Sequence, residues 1–258
     1  MRVAIAGLGL IGGSFEKASL GAGHEIVPVA GAELVLVCLP PDVIVPWIAE
    51  HRGEFAAGAV VVDVCGVKRG ICREVAALPK TGWTFVGGHP MAGREVSGYA
   101  NSKADLFVGA SMIVTPDESV PREVIERLTR YFASIGFHRT VVTTPENHDE
   151  MIAFTSQLCH VIATAYARDP KVVEAIGYSA GSYANMTRVA TQNSDTWAAL
   201  YLEDREALLK TLDGFIGRLG EFRSALAAAD LGRMKKIIDE GTAAKNEELL
   251  ARERGDER

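Results

Sequence analysis

Several things are scarce in this 258-residue chain, and each scarcity removes a class of function. No apolar run reaches the roughly 18 residues that a bilayer-spanning helix needs, so no membrane partner is expected. Lysine and arginine form no stripe and the net charge is −6, which argues against a nucleic-acid partner. The four cysteines, Cys38, Cys65, Cys72 and Cys159, show no C-x-x-C spacing, and no metal is expected. Cys38 and Cys65 sit in apolar, strand-like runs and are expected to be reduced, buried thiols. The first residues show neither a basic n-region nor a cleavage site, so a cytoplasmic protein is expected.

What remains is a composition of 48% hydrophobic and 23% charged residues, ordinary for a soluble globular protein of one or two domains. The strand-like run Arg2–Ala6 leads directly into Gly7-Leu8-Gly9-Leu10-Ile11-Gly12, and a helix-like segment follows. A G-x-G-x-x-G run is weak evidence alone, but strand before and helix after make it a dinucleotide-binding signature. Gly7 is expected to make the tight turn, Gly9 to admit the pyrophosphate, and Gly12 to let helix pack on strand. Leu8, Leu10 and Ile11 complete this cofactor loop, with the helix N-terminal amides holding the phosphates.

A second strand is expected over 24–30, with an acidic residue at its end for the adenosine ribose; Ala30 stands there instead. Leu34–Leu39 reads as the next buried parallel strand. Only Gly31–Glu33 separate the two, whereas neighbouring parallel strands need a crossover of about a dozen residues or more. Either a segment of roughly 20–30 residues is missing here, which is the expectation, or this half has lost its adenine-side strands. The choice between NAD and NADP is then out of reach. Further on, strands at 59–64, 83–86, 111–115 and 139–143 alternate with helices at 43–52, 68–78 and 121–135, which argues a doubly wound parallel sheet.

The segment Gly87-Gly88-His89-Pro90-Met91-Ala92-Gly93 follows the 83–86 strand. A histidine between glycines and a proline, at the carboxyl end of a strand, stands where cofactor and substrate meet in an α/β fold. His89 is the expected seat of the chemistry. Beyond Pro145 strand signals cease: Glu146–Arg168 reads as one long helix, and 203–229 and 231–254 as two more. This gives a dinucleotide-binding domain over 1–145 and a helical substrate and dimerisation domain over 146–258. Apolar helices without a sheet pack on each other or on a second subunit, so a homodimer is expected.

Within the helical part, Ser156 and His160 lie four residues apart on one helical face, although a histidine on an apolar helix is more often a satisfied core residue. His148, beside Asp149, reads as a residue of a helix N-terminus. Arg188 stands among apolar neighbours, and a guanidinium so placed usually holds an anion, substrate or protein.

Taken together, Gly7–Ser14, Asp63-Val-Cys-Gly-Val-Lys68, Gly87–Gly93 with Ser97-Gly98, His148-Asp149, Ser156-Gln-Leu-Cys-His160 and Thr187-Arg188-Val-Ala190 with Trp197 resemble the prephenate and arogenate dehydrogenases of tyrosine biosynthesis. The resemblance covers nearly the whole chain. It implies oxidative decarboxylation of a small cyclohexadienol, prephenate or arogenate, with NAD or NADP as cofactor. It implies His89 as the base on the ring hydroxyl, Arg188 as partner of a substrate carboxylate, and Ser156 and His160 as pocket residues. The sequence departs from the family pattern at Gly66, where many relatives carry serine, at Arg94, a candidate second anion contact, and at Asn185, often acidic. Water or Ser97 is expected to replace the hydroxyl missing at Gly66. Two other readings stay open: another two-domain hydroxyacid dehydrogenase, for which Asn147 is the sole candidate base on the first long helix, and a non-catalytic nucleotide-binding regulator.

Overall fold

The structure is a computed structural model, and residues 1–79, 82–94 and 96–254 are described. Seven strands form one sheet in the order β2-β1-β3-β4-β5-β6-β7. They are β1 (Arg2–Ala6), β2 (Glu25–Ile26), β3 (Leu34–Val37), β4 (Val60–Asp63), β5 (Thr84–Pro90), β6 (Ser111–Pro116) and β7 (Arg139–Val142). Every residue of β3 and β4 is buried, as expected of central parallel strands covered on both faces.

Alternation along the strands divides the core into two layers. Leu34, Leu36, Val60 and Val62 pack with Phe15 of α1 (Leu10–Gly21) and with Leu128 and Phe132 of α4 (Arg122–Ser134). Val35, Val37 and Val61 face the other way, against Ile44 and Ile48 of α2 (Pro41–His51) and Ile71 and Val75 of α3 (Arg69–Ala76). The doubly wound α/β reading therefore stands, with one correction to its strand directions. β6 runs antiparallel to β5, while all other pairs are parallel. The connection from Met91 to Ala110 holds only a 3₁₀ turn at Tyr99–Asn101 among its described residues. Without a crossover helix the chain returns antiparallel.

A second correction concerns the amino-terminal edge. The expected strand over 24–30 shrinks to Glu25–Ile26, and β2 and β3 are not neighbours but flank β1 on opposite sides. Val3 pairs with Ile26 on one side and with Leu34 on the other. Val27 N–H donates to the Val3 carbonyl, and Glu33 N–H donates to that of Arg2. Pro28 has no amide hydrogen to continue the ladder, and a 3₁₀ turn follows at Val29–Gly31. Val27, Val29 and Ala32 pack against the α2–α3 face. Seven residues thus cross β1 near its amino end, and beyond Val3 no residue of β2 pairs with β1. Among the described residues, the two-residue β2 is the only strand on that side of β1.

After β7 the chain is helical: α5 (Pro145–Ile152), a π-helical turn at Ala153–Gln157, α6 (Leu158–Ala167), α7 (Gly181–Thr187), α8 (Ser194–Glu203), α9 (Arg205–Ala227) and α10 (Leu231–Glu253). The long helix expected over 146–168 is thus interrupted by a π turn, a feature often found at functional sites. Two compact units result, Met1–Leu208 and the part from Leu209 onward. In the second, Ile216, Leu219, Phe222, Leu226 and Ile238 are exposed.

Candidate functional site

Two features of the carboxyl edge of the sheet matter first. Ala6, Val37 and Asp63 are in register at that edge, so the glycine loop after β1 and the end of β4 open on the same side. Gly7 adopts φ +92°, a conformation natural to glycine. A Cβ on Gly12 would lie 1.8 Å from the Gly7 carbonyl oxygen, so helix and turn meet there backbone to backbone. Gly9 caps α1 without a side-chain bond, and nothing lies within 4 Å of where its Cβ would stand. The first helical bond runs from Gly13 N–H to the Gly9 carbonyl, so the amides of Leu10, Ile11 and Gly12 precede the ladder. An open cradle before such amides fits a pyrophosphate. Leu8 is exposed beside it, while the Leu10 side chain is buried and that of Ile11 packs on the core.

The second feature is the end of β5, which carries His89 inside the strand, opposite Ile113, rather than just after it. The carboxylate of Asp63 is fully buried and accepts from three directions. Lys68 Nζ donates to Oδ2, as does the Cys65 amide at 3.0 Å, and the Gly88 amide donates to Oδ1 at 3.3 Å. A Cβ at Gly88 would stand 2.6 Å from the Asp63 carbonyl oxygen, so only glycine lets β5 pass this close. Asp63 and Lys68 thereby fix the backbone immediately before His89.

His89 itself is held by groups from α5. Its Nδ1 lies 3.0 Å from Nε2 of His148, and Nδ1 of His148 lies 2.7 Å from Oδ1 of Asp149. Asp149 also accepts from the backbone amides of Lys68 and Arg69, each at 2.8 Å. A carboxylate accepting two amides is an acceptor toward the third partner as well, which places the His148 proton on Nδ1. Nε2 of neutral His148 is then an acceptor, and His89 donates to it from Nδ1. The lone pair of His89 is left on Nε2. Enclosure, then the neighbouring His148 and the Lys68 charge, hold the His89 pKa well below the usual histidine value. Burial lowers that of His148 too, against the opposing pull of Asp149. Neutral imidazole is therefore the resting form of His89.

Above the free nitrogen lie Gly66 and α8. A Cβ at Gly66 would sit 3.7 Å from both Nε2 and Cε1 of His89 and 3.6 Å from Leu200 Cδ2. The position thus admits a Cβ in ordinary van der Waals contact. Ser97 does not replace the hydroxyl missing at Gly66 in the structure's hydrogen bonds: it is exposed, and its carbonyl accepts from Asn101. The partner that orients His89 is His148. Sequence reasoning placed His148 and Asp149 at a helix N-terminus, where Thr144 does cap α5, and missed that both are buried. The available signal was positional: 148, 149, 152 and 153 form one buried stripe of the helix.

Three turns further along the helical run, His160 Nδ1 donates to the Val189 carbonyl at 3.0 Å, and its ring lies tilted against Trp197 with centroids 3.7 Å apart. Trp197 and Leu200 are three residues apart on α8, so that helix links the His160 cluster to the neighbourhood of His89. Arg188 begins the short 3₁₀ turn that carries Val189 and is exposed. Ser156 lies half-buried in the π turn; Arg94 is exposed on the loop after β5. Asn147 donates to Thr143 at 2.8 Å at the start of α5. Asp204, enclosed at the end of α8, has its pKa pushed up to about 7 by burial and by nearby Asp149. Burial pushes the Cys65 and Cys72 thiols up to about 11, and all four cysteines are free.

An open glycine loop and a neutral imidazole at one edge of a doubly wound sheet fit a dinucleotide-dependent oxidoreductase. Residues 2–141 match the family model "Prephenate dehydrogenase, nucleotide-binding domain", and 144–240 match "Prephenate dehydrogenase, dimerization domain". The cyclohexadienyl dehydrogenase of Zymomonas mobilis is 31% identical over 265 aligned positions, covering 88% of this chain and 89% of that protein. The prephenate dehydrogenase of Bacillus subtilis is 25% identical, over 88% of this chain and 71% of its own. The crystal structure of Synechocystis arogenate dehydrogenase superposes with a TM-score of 0.83 at 22% identity, over 96% and 99% of the two chains. That of the Aquifex aeolicus prephenate dehydrogenase, in complex with hydroxyphenyl propionate and NAD+, gives 0.83 and 22% over 96% and 98%. The chain belongs to the prephenate dehydrogenase family.

Proposed function

We propose that this chain catalyses the NAD(P)-dependent oxidative decarboxylation of prephenate, or of arogenate, in tyrosine biosynthesis. The observation that carries the reading is the Asp149–His148–His89 relay, which leaves the neutral Nε2 of His89 as an acceptor beside Gly66. Family membership supplies the substrate class, a cyclohexadienol bearing a ring carboxylate.

In the proposed mechanism, the loop of Gly7, Gly9 and Gly12 with the amides at the start of α1 would hold the dinucleotide, which would supply the hydride acceptor for the ring carbinol carbon. His89 Nε2 receives the hydroxyl proton as the carbinol becomes a carbonyl, and the ring carboxylate departs as carbon dioxide with its electron pair entering the ring. Aromatisation supplies the driving force, so the protein positions and polarises. His148 and Asp149 hold the His89 ring in its basic tautomer; neither touches substrate in this scheme. Arg188 pairs with a substrate carboxylate, Ser156 and His160 line the pocket, and Arg94 is a second anion contact. The same proposal divides the chain at 145/146 into cofactor-binding and helical parts. The dimerization-domain match and the exposed apolar residues of α9 and α10 support a homodimer.

The assignment of Arg188 tests the substrate class. Arg188→Ala is expected to raise the Michaelis constant for prephenate or arogenate by about tenfold or more while turnover changes little, because a carboxylate clamp acts in ground and transition states alike. Steady-state kinetics decide it, and an effect confined to turnover would contradict the role.

A further inference from the structure

We infer that the chain holds its dinucleotide by the pyrophosphate and nicotinamide halves alone, and that it therefore does not discriminate NAD from NADP. This rests on the dehydrogenase reading above and deepens it.

Discrimination in a doubly wound fold is made where β2 ends at the carboxyl edge. There an acid accepts from the ribose 2′-hydroxyl, or an arginine accommodates the 2′-phosphate. In this chain β2 never reaches that edge: it pairs with Arg2 and Val3 only, leaving Ala4 to Ala6 of β1 without a strand on that side. The connecting residues are Val27, Pro28, Val29, Ala30, Gly31, Ala32 and Glu33, with no basic group among them. Their one acid turns away from the site. Glu33 accepts from the Arg2 amide at 2.9 Å, at the amino end of β1, the opposite edge from the glycine loop. That bond, with the Arg2 side chain beside it, holds the carboxylate below its usual pKa. Neither device for the 2′ position is present among residues 27–33. The pyrophosphate cradle, by contrast, is complete, with Gly7 and Gly12 in close approach and Gly9 open. The half of the cofactor site nearest the chemistry has been kept, and the adenosine half has not.

The test is isothermal titration of the full chain with NAD+, NADP+, AMP and 2′-phospho-AMP. The expected result is dissociation constants for NAD+ and NADP+ within about threefold of each other, and no binding of either mononucleotide at millimolar concentration. A charge-assisted bond to one 2′ group is worth about tenfold or more. A preference of that size in either direction, or saturable AMP binding, overturns the inference while leaving the dehydrogenase reading intact. Gly9→Ala provides the companion variant, since Gly9 has an ordinary φ of −86° and free space around its Cβ position. It is expected to weaken both dinucleotides by about fivefold or more and equally; unchanged affinity for both would show that the cradle is not used. No heat from either dinucleotide with wild type overturns the cofactor reading itself, a result distinct from preference.

Discussion

Replacing His89 with asparagine is expected to lower turnover by about 100-fold or more, roughly 2.7 kcal/mol of barrier, with the Michaelis constant little changed. Asparagine keeps a hydrogen-bonding group near the ring hydroxyl but cannot take its proton, so binding survives and proton transfer does not. The pH dependence has a definite sign. The base works unprotonated, so activity is present above the His89 pKa and lost as pH falls through it. Because enclosure, His148 and Lys68 hold that pKa well below the usual histidine value, the plateau of kcat/KM extends well below pH 6.5 before the acid limb begins. The limb should vanish from the residual activity of His89→Asn. A variant with wild-type turnover, or with an unchanged acid limb, would move the base elsewhere.

The second large effect is on stability. Lys68 and Asp63 form an ion pair in which both side chains have zero exposure. Removing one partner of such a pair leaves the other charge buried and uncompensated, at a cost of about 3–5 kcal/mol. Lys68→Met is therefore expected to lower the melting temperature at pH 7 by roughly 10 °C, given about 2–4 °C per kcal/mol for a unit of this size. Asp63→Leu added to it should recover part of the loss, because no charge then remains in the interior. The recovery is partial, since Asp63 also accepts from the Cys65 and Gly88 amides. Thermal unfolding followed by circular dichroism decides both. A shift of less than about 2 °C for Lys68→Met would mean that the pair contributes nothing net.

Much of this was legible in the sequence, for identifiable reasons. β3 and the Val60–Val62 stretch of β4 are uninterrupted apolar runs because both sheet faces are covered, and such runs announce themselves. The glycine loop is bound to its place by contacts that exclude side chains, so its spacing is visible in one chain. His89 was found through the glycines around it. The direction of β6 was not, because alternating apolar residues look alike whichever way a strand runs; only the lack of a helix signal over 91–110 carried that information. The short β2 looked longer because Val27 and Val29 are apolar, yet they are so in order to pack across β1, not to extend a strand. His148 and Asp149 were hidden by their neighbours in sequence, Pro145 and Glu146, which mark a helix start and draw the eye to the surface. Their importance lies in bonds to residues 59 and 81 positions away, which no local pattern displays.

The central claim is the reaction, and initial rates test it most directly. Prephenate and arogenate are each supplied with NAD+ and with NADP+, and reduced nicotinamide is followed by absorbance on the full chain. The expected result is turnover with at least one of the two substrates, at comparable efficiency with both cofactors. Silence in all four combinations, from folded protein that still binds dinucleotide, would contradict it and make the chain a non-catalytic nucleotide-binding protein.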